Sequence, residues 1–143
     1  MTTTPDRGLE RFLDAQDEDR CFYRALEELR SGRKRTHWMW FVFPQLAGLG
    51  QSATSRHFAI GSLDEARAYL AHPVLGVRLL ECANAVVGLE GVSAVDIFGS
   101  LDAQKLRSSM ALFLRADPAQ GVFQRVLDRY FDGRPDPATD ALL

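Results

Sequence analysis

Thr36-His37-Trp38-Met39-Trp40-Phe41-Val42-Phe43-Pro44-Gln45 holds both tryptophans of the chain and decides what the fold can be. Within it, Trp38 to Phe43 is a continuous apolar run whose length suits a buried strand or a buried helix equally. A strand needs a neighbour to satisfy its backbone donors and acceptors, and the rest of the sequence offers helical spacing with hardly any period-two alternation. A short helix capped by Thr36 and stopped before Pro44 leaves no such groups orphaned. Trp and Phe bury large areas, and an indole N–H needs an acceptor once it leaves water. The block is therefore expected to be the centre of the core or one wall of a pocket.

Working outward, Leu9, Phe12, Leu13 and Gln16 share one helical face after Pro5-Asp6. Phe22, Ala25, Leu26 and Leu29 form the next stripe, with Asp17, Glu18 and Asp19 at its positive end and Arg30 ahead of Gly32 at its close. Pro44 to Ser55 has no clear period and is the natural candidate for a functional loop. Ser62-Leu63-Asp64-Glu65 has the pattern of a capping box opening a helix that ends near His72-Pro73. Leu75, Leu79, Cys82, Ala83 and Val86 then make a stripe that exits at Gly88 and Gly91. A short helical turn over Ser93 to Phe98 precedes a helix from about Asp102 to Arg115, carried by Leu106, Ser109, Met110 and Phe113. Asp117-Pro118 is expected to cap the helix of Val122, Phe123, Val126, Leu127, Tyr130 and Phe131, closed by Gly133, and Pro135-Asp136-Pro137 starts a terminal turn. The expectation is all-α: one domain over residues 1–143, about seven short to medium helices, no sheet, and a disordered tail over residues 1–5.

A chain of 143 residues buries roughly two thirds of its unfolded surface and needs no disulfide or metal staple. Cys21 and Cys82 are far apart within apparent helices and are expected to be reduced. Met1 to Arg7 lacks the apolar stretch of a signal peptide, and no apolar run approaches a bilayer's thickness, so a cytoplasmic protein without membrane partners is expected. The net charge of −2 argues against bulk nucleic-acid binding.

The Walker loop, His-Glu-x-x-His, Cys-x-x-Cys and Gly-x-Ser-x-Gly are all missing from the sequence, so no metal or cofactor is expected. Gly48-Leu49-Gly50-Gln51-Ser52-Ala53 matches the loose dinucleotide pattern, but that fingerprint has meaning only inside a βαβ unit. The basic cluster Arg30, Arg33, Lys34 and Arg35 beside His37 either seats an anion against stacking rings or is a solvated face complementing a helix dipole. His37 suits acid–base work or anion binding, whereas His72 beside Pro73 has a structural role open to it. Ser109 and Asn84 interrupt apolar faces and need partners if buried. Ser can bond a carbonyl one turn back, or these groups face a pocket with Lys105 and Arg107.

Separated blocks carry a family resemblance: His37-Trp38-Met39-Trp40-Phe41-Val42-Phe43-Pro44-Gln45, Pro44 to Gly50, Ala68 to Gly76, Phe98-Gly99-Ser100, and Lys105-Leu106-Arg107-Ser108-Ser109-Met110. The chain resembles bacterial domain-of-unknown-function family 1810, whose members are sometimes mislabelled calpastatin-like. The resemblance covers essentially the whole chain and implies a small, intracellular, wholly helical protein, with no established activity. Where relatives commonly show Ser-Pro-Asp-Asp and Ser-Ser-Met-Thr, this chain has Ser100-Leu101-Asp102-Ala103 and Ser108-Ser109-Met110-Ala111. Those departures weaken a catalytic role at the two changed positions and leave His37, Gln45, Asp102, Lys105, Ser108 and Ser109 available.

Two functional expectations follow. The first is a pocket for a phosphate-bearing or nucleotide-like small molecule, of which an ADP-ribose-type ligand is one specific case. Trp38 and Trp40 would stack on it, His37, Arg56, Lys105 and Ser109 would meet its polar end, and Gln45 and Ser108 would complete the lining. If the protein is an enzyme, hydrolysis is the expected class, with His37 as acid or base. The alternative is a non-catalytic protein-interaction module using a helical groove or the Gly48 to Ser55 loop. Exposure of Trp38 and Trp40 separates the two.

Overall fold

The computed structural model describes residues 5–143, with side chains from Gly8 onward. The expected tail falls outside the described residues except for Pro5, which opens the first helix. The chain folds as α1 (Pro5–Asp17), a 3-10 turn (Glu18–Arg20), α2 (Cys21–Arg30), α3 (Met39–Val42), α4 (Ala53–His57), α5 (Leu63–Ala71), α6 (Leu75–Val87), α7 (Ala94–Phe98), α8 (Ser100–Ala116), α9 (Gly121–Tyr130) and α10 (Pro137–Leu142). The all-α expectation holds. The helices outnumber the expected seven because the short helical turns expected at the aromatic block, Ser93 to Phe98 and the C-terminus are each helices of four to six residues, and five-residue α4, too short to show a period, joins them. Among the described residues the nearest approach to a sheet is an isolated parallel bridge: Ala47 N donates to Ile60 O at 2.8 Å and Ile60 N to Gln45 O at 2.8 Å.

The helices enclose one apolar core. Its axis is α8, buried continuously from Ser108 to Leu114 because α5, α7, α9 and α10 all pack on it. The α9 stripe of Val122, Phe123, Val126 and Leu127 and the α6 stripe of Leu75, Leu79, Cys82, Ala83 and Val86 point inward as the spacing predicts. Between α5 and α6 the chain bends by 90°. Gly76 permits the bend, since a Cβ there would stand 2.1 Å from Leu70 O, and His72 caps the new helix by accepting Val74 N at 3.1 Å and Leu75 N at 3.2 Å through Nδ1.

Several local expectations are corrected. Ser62 Oγ accepts Glu65 N at 3.1 Å, but the Glu65 carboxylate takes Gly61 N at 2.8 Å instead of closing the box on Ser62. The reciprocal capping box forms at Ser93 and Asp96. Asp117 ends α8, while α9 begins at Gly121 without a side-chain cap. Asn84 is exposed and bonds Leu80 O at 2.9 Å, so it does not interrupt a buried face. Among the described residues no single helix is long and apolar enough to cross a membrane.

Candidate functional site

The aromatic block is anchored by a residue that its own sequence does not reveal. Glu28, on α2 and only 8% exposed, accepts Arg35 N at 2.7 Å, Thr36 N at 3.0 Å and Trp38 Nε1 at 2.9 Å on Oε1, and Thr36 Oγ1 at 2.7 Å on Oε2. Burial pushes this carboxyl upward, but the hydrogen bonds from Arg35, Thr36 and Trp38 outweigh it and hold the group below its ordinary range. Thr36 is therefore spent on Glu28 and does not cap α3, whose N-cap position falls to Trp38 without a side-chain bond. No local signal marks Glu28, since Glu27 beside it is exposed and only the return of the chain at Arg35 to Trp38 makes it an acceptor.

The sequence-predicted site residues do not converge on one place. Trp38 is fully buried. Trp40 is half-buried and meets Lys105, whose Nζ lies 5.0 Å from the ring centroid. Lys105 and Lys34 share Asp102, at 3.3 Å and 2.9 Å, and Lys34 Nζ also sits 5.3 Å from the Trp38 ring. Ser108 Oγ donates to Asp136 Oδ2 at 2.7 Å and Ser109 lies in the core with no partner for its hydroxyl, so both face the protein interior. Arg107 bonds Arg134 O and Pro135 O at 2.9 and 3.1 Å, tying down the C-terminal turn. Gln45 is half-buried and joins the Ile60 bridge through its carbonyl, and Arg56 is exposed on α4. The glycine-rich loop is largely exposed, yet two of its glycines touch neighbours: a Cβ on Gly50 would meet Ser55 Cβ at 2.4 Å, and one on Gly48, whose φ is +100°, would meet Leu142 Cδ1 at 3.2 Å.

His37 lines a cavity. An open cleft of about 360 Å³ lies between the end of α1, the 3-10 turn, the start of α2 and the aromatic block. Its floor carries Phe41 and Phe58, whose rings are tilted at 5.3 Å, and His57 meets the Phe58 ring edge-on at 4.6 Å. Its polar rim is Glu18, Asp19, Arg24 and His37, with Cys21 half-buried beside them. Asp19 and Arg20 both hold left-handed backbone, at φ 51° and 57°, which non-glycine residues adopt only under constraint. Arg24 secures that turn by donating to Asp19 O at 2.9 Å. Burial raises the Cys21 thiol pKa against the pull of Arg24, so the sulfur is protonated at neutral pH. The arrangement offers a flat apolar surface, two carboxylates for hydroxyl or amine donors, and a guanidinium and an imidazole for an anion. Among the described residues no cluster of His, Cys, Asp and Glu suits a metal ion.

An all-helical protein with one core and a small aromatic-floored cleft is the class that fold and geometry define. The chain belongs to the family described as "Protein of unknown function (DUF1810)", which it matches over residues 6–143. It is similar to the crystal structure of the conserved hypothetical protein Rv1873 from Mycobacterium tuberculosis, at 50% identity and a TM-score of 0.92, covering 94% of this chain and 95% of that one. No curated protein matches the chain.

Proposed function

We propose that the protein binds a small phosphate-bearing or nucleotide-like molecule in the cleft beside His37. One observation carries this: His37 shares a cavity with Arg24, two carboxylates and two aromatic rings. A planar base would lie against Phe41 and Phe58, ribose hydroxyls would donate to Glu18 or Asp19, and the anionic end would meet Arg24 and His37. The cavity is near the lower end of the roughly 300–1,000 Å³ typical of ligand sites, which favours a mononucleotide or sugar phosphate over an ADP-ribose-type ligand. If hydrolysis follows binding, His37 is the imidazole in the cleft that would move a proton, and the protonated Cys21 thiol would not serve as the attacking group.

The non-catalytic interaction module is favoured by a different observation: Trp38 is fully buried, so half of the aromatic pair serves the core. A thermal-shift screen with nucleoside phosphates and sugar phosphates, repeated on His37→Ala and Arg24→Ala, separates the two. A ligand at one hundred times its Kd adds about 2.7 kcal/mol. A stabilisation lost in both variants supports the cleft, and no stabilisation by any compound favours the interaction module.

A further inference from the structure

A second opening, of about 490 Å³, lies where α2 meets α6 and is lined by Arg30, Val77, Leu80, Glu81, Asn84 and Ala85. It has no aromatic wall, and its apolar part continues past the groove. Val77 is 54% exposed, Val74 38% and Tyr23 55%, all at the end where the Arg78 guanidinium sits 4.8 Å over the Phe22 ring. Phe22 and Arg78 meet at one end and Arg30 and Asn84 at the other, so α2 and α6 run side by side in the same direction. Tyr23, Val74 and Val77 make the apolar part of the combined face, next to the Arg78–Asp17 ion pair, and Arg30 and Glu81 lie further along it.

The charges identify the occupant. Among the described residues neither Arg30 nor Glu81 makes an ion pair or a side-chain hydrogen bond, although both line one opening. A partner of one charge sign would satisfy one of them and confront the other with like charge. A second copy of the same face, turned about a two-fold axis, presents Glu81 to Arg30 and Arg30 to Glu81 at once, which is the self-complementarity an isologous contact requires. A two-fold axis passing midway between Arg30 and Glu81 makes both pairings at once and keeps each charge away from its own copy. The net charge of −2 puts little general repulsion in the way.

We infer that the α2–α6 face is a self-association surface on which two copies of the chain meet about a two-fold axis, Arg30 of each pairing with Glu81 of the other. The inference is independent of the cleft. Light scattering after gel filtration, over a wide range of loading concentration, tests it on the full chain and on Arg30→Glu, Glu81→Arg and the double reversal. The expected result is a wild-type dimer, a dissociation constant raised on the order of a hundredfold or more by either single reversal, and recovery of the dimer in the double variant. That recovery also shows that both substitutions are compatible with folding. A wild type that is monomeric throughout, a dimer indifferent to the single reversals, or a double reversal that fails to recover would each overturn the inference.

Discussion

Replacing Glu28 with glutamine tests whether one buried carboxylate organises the loop that carries Lys34 and His37. The amide keeps an oxygen where Arg35 N, Thr36 N and Trp38 Nε1 converge and turns its NH₂ toward Thr36 Oγ1, which can accept. Geometry is retained and charge is lost. Bonds to a charged group are worth about 1.5–3 kcal/mol against 0.5–1.5 for neutral ones, so the three bonds to Oε1 would weaken by about 3 kcal/mol together. Relief from burying a charge returns part of this, leaving a net loss of about 1–2 kcal/mol. Glu28→Ala should cost more, about 3–4 kcal/mol, because the indole N–H of the fully buried Trp38 is left without a partner. Urea unfolding followed by tryptophan fluorescence and circular dichroism measures both. The pH dependence has a definite sign. The folded carboxyl titrates below its unfolded value, so its contribution is complete above the ordinary glutamate range, near pH 4.3, and disappears as pH falls through the folded value. The difference between wild type and Glu28→Gln should therefore be full at pH 7 and shrink in acid. Equal stability at pH 7, or a difference that ignores pH, would refute the anchoring role.

Three further expectations rest on separate observations. Gly76→Ala should destabilise by about 2–3 kcal/mol in chemical denaturation despite alanine's better helix propensity, because no rotamer moves a Cβ away from Leu70 O; a change within about 0.5 kcal/mol would show that α5 and α6 can separate freely. Trp40→Phe should leave a blue, iodide-resistant emission from the buried Trp38, and ready quenching of the remaining indole would contradict its place in the core. Asp136→Asn should cost about 1–2 kcal/mol at neutral pH and expose the last helix to proteolysis, since Ser108 and Thr139 both donate to one oxygen at 2.7 Å. Although burial raises this carboxyl, the bonds from Ser108, Thr139 and Ala138 lower it on balance, so the penalty should fade as pH drops through its folded value, and a penalty constant with pH would contradict that origin.

The apolar stripes of α2, α6, α8 and α9 were legible because a helix facing a core repeats its apolar residues at a fixed period, and those residues are buried. What failed to show was whatever depends on neighbours distant in sequence or on segments shorter than a period. Five-residue α4 begins inside the stretch that looked like an open loop, started by Ser52 Oγ accepting Ser55 N. Nothing local distinguishes Glu28 from its exposed neighbour Glu27; only the return of the chain at Arg35 to Trp38 makes the former a buried acceptor. Ser109 was legible as a polar group on an apolar face and is buried there, whereas Ser108, expected to line a pocket, bonds Asp136, a partner 28 residues away. Of the expected site, Trp40 and Lys105 meet as a pair and His37 reaches a cavity. Phe41 of the aromatic block lines that cavity with it, and the rest of the lining comes from Ala15 of α1, Glu18 and Asp19 of the turn, Cys21 and Arg24 of α2, and Phe58, none of which carried a motif.

The cleft is tested most directly by following the ring resonances of His37, His57 and His72 by NMR while nucleoside phosphates and sugar phosphates are added. Binding in the cleft should shift His37 strongly and His57 through its contact with Phe58, leave His72 in its helix cap unmoved, and be lost in Arg24→Ala. Titration of every compound with His37 unmoved would contradict a ligand site there.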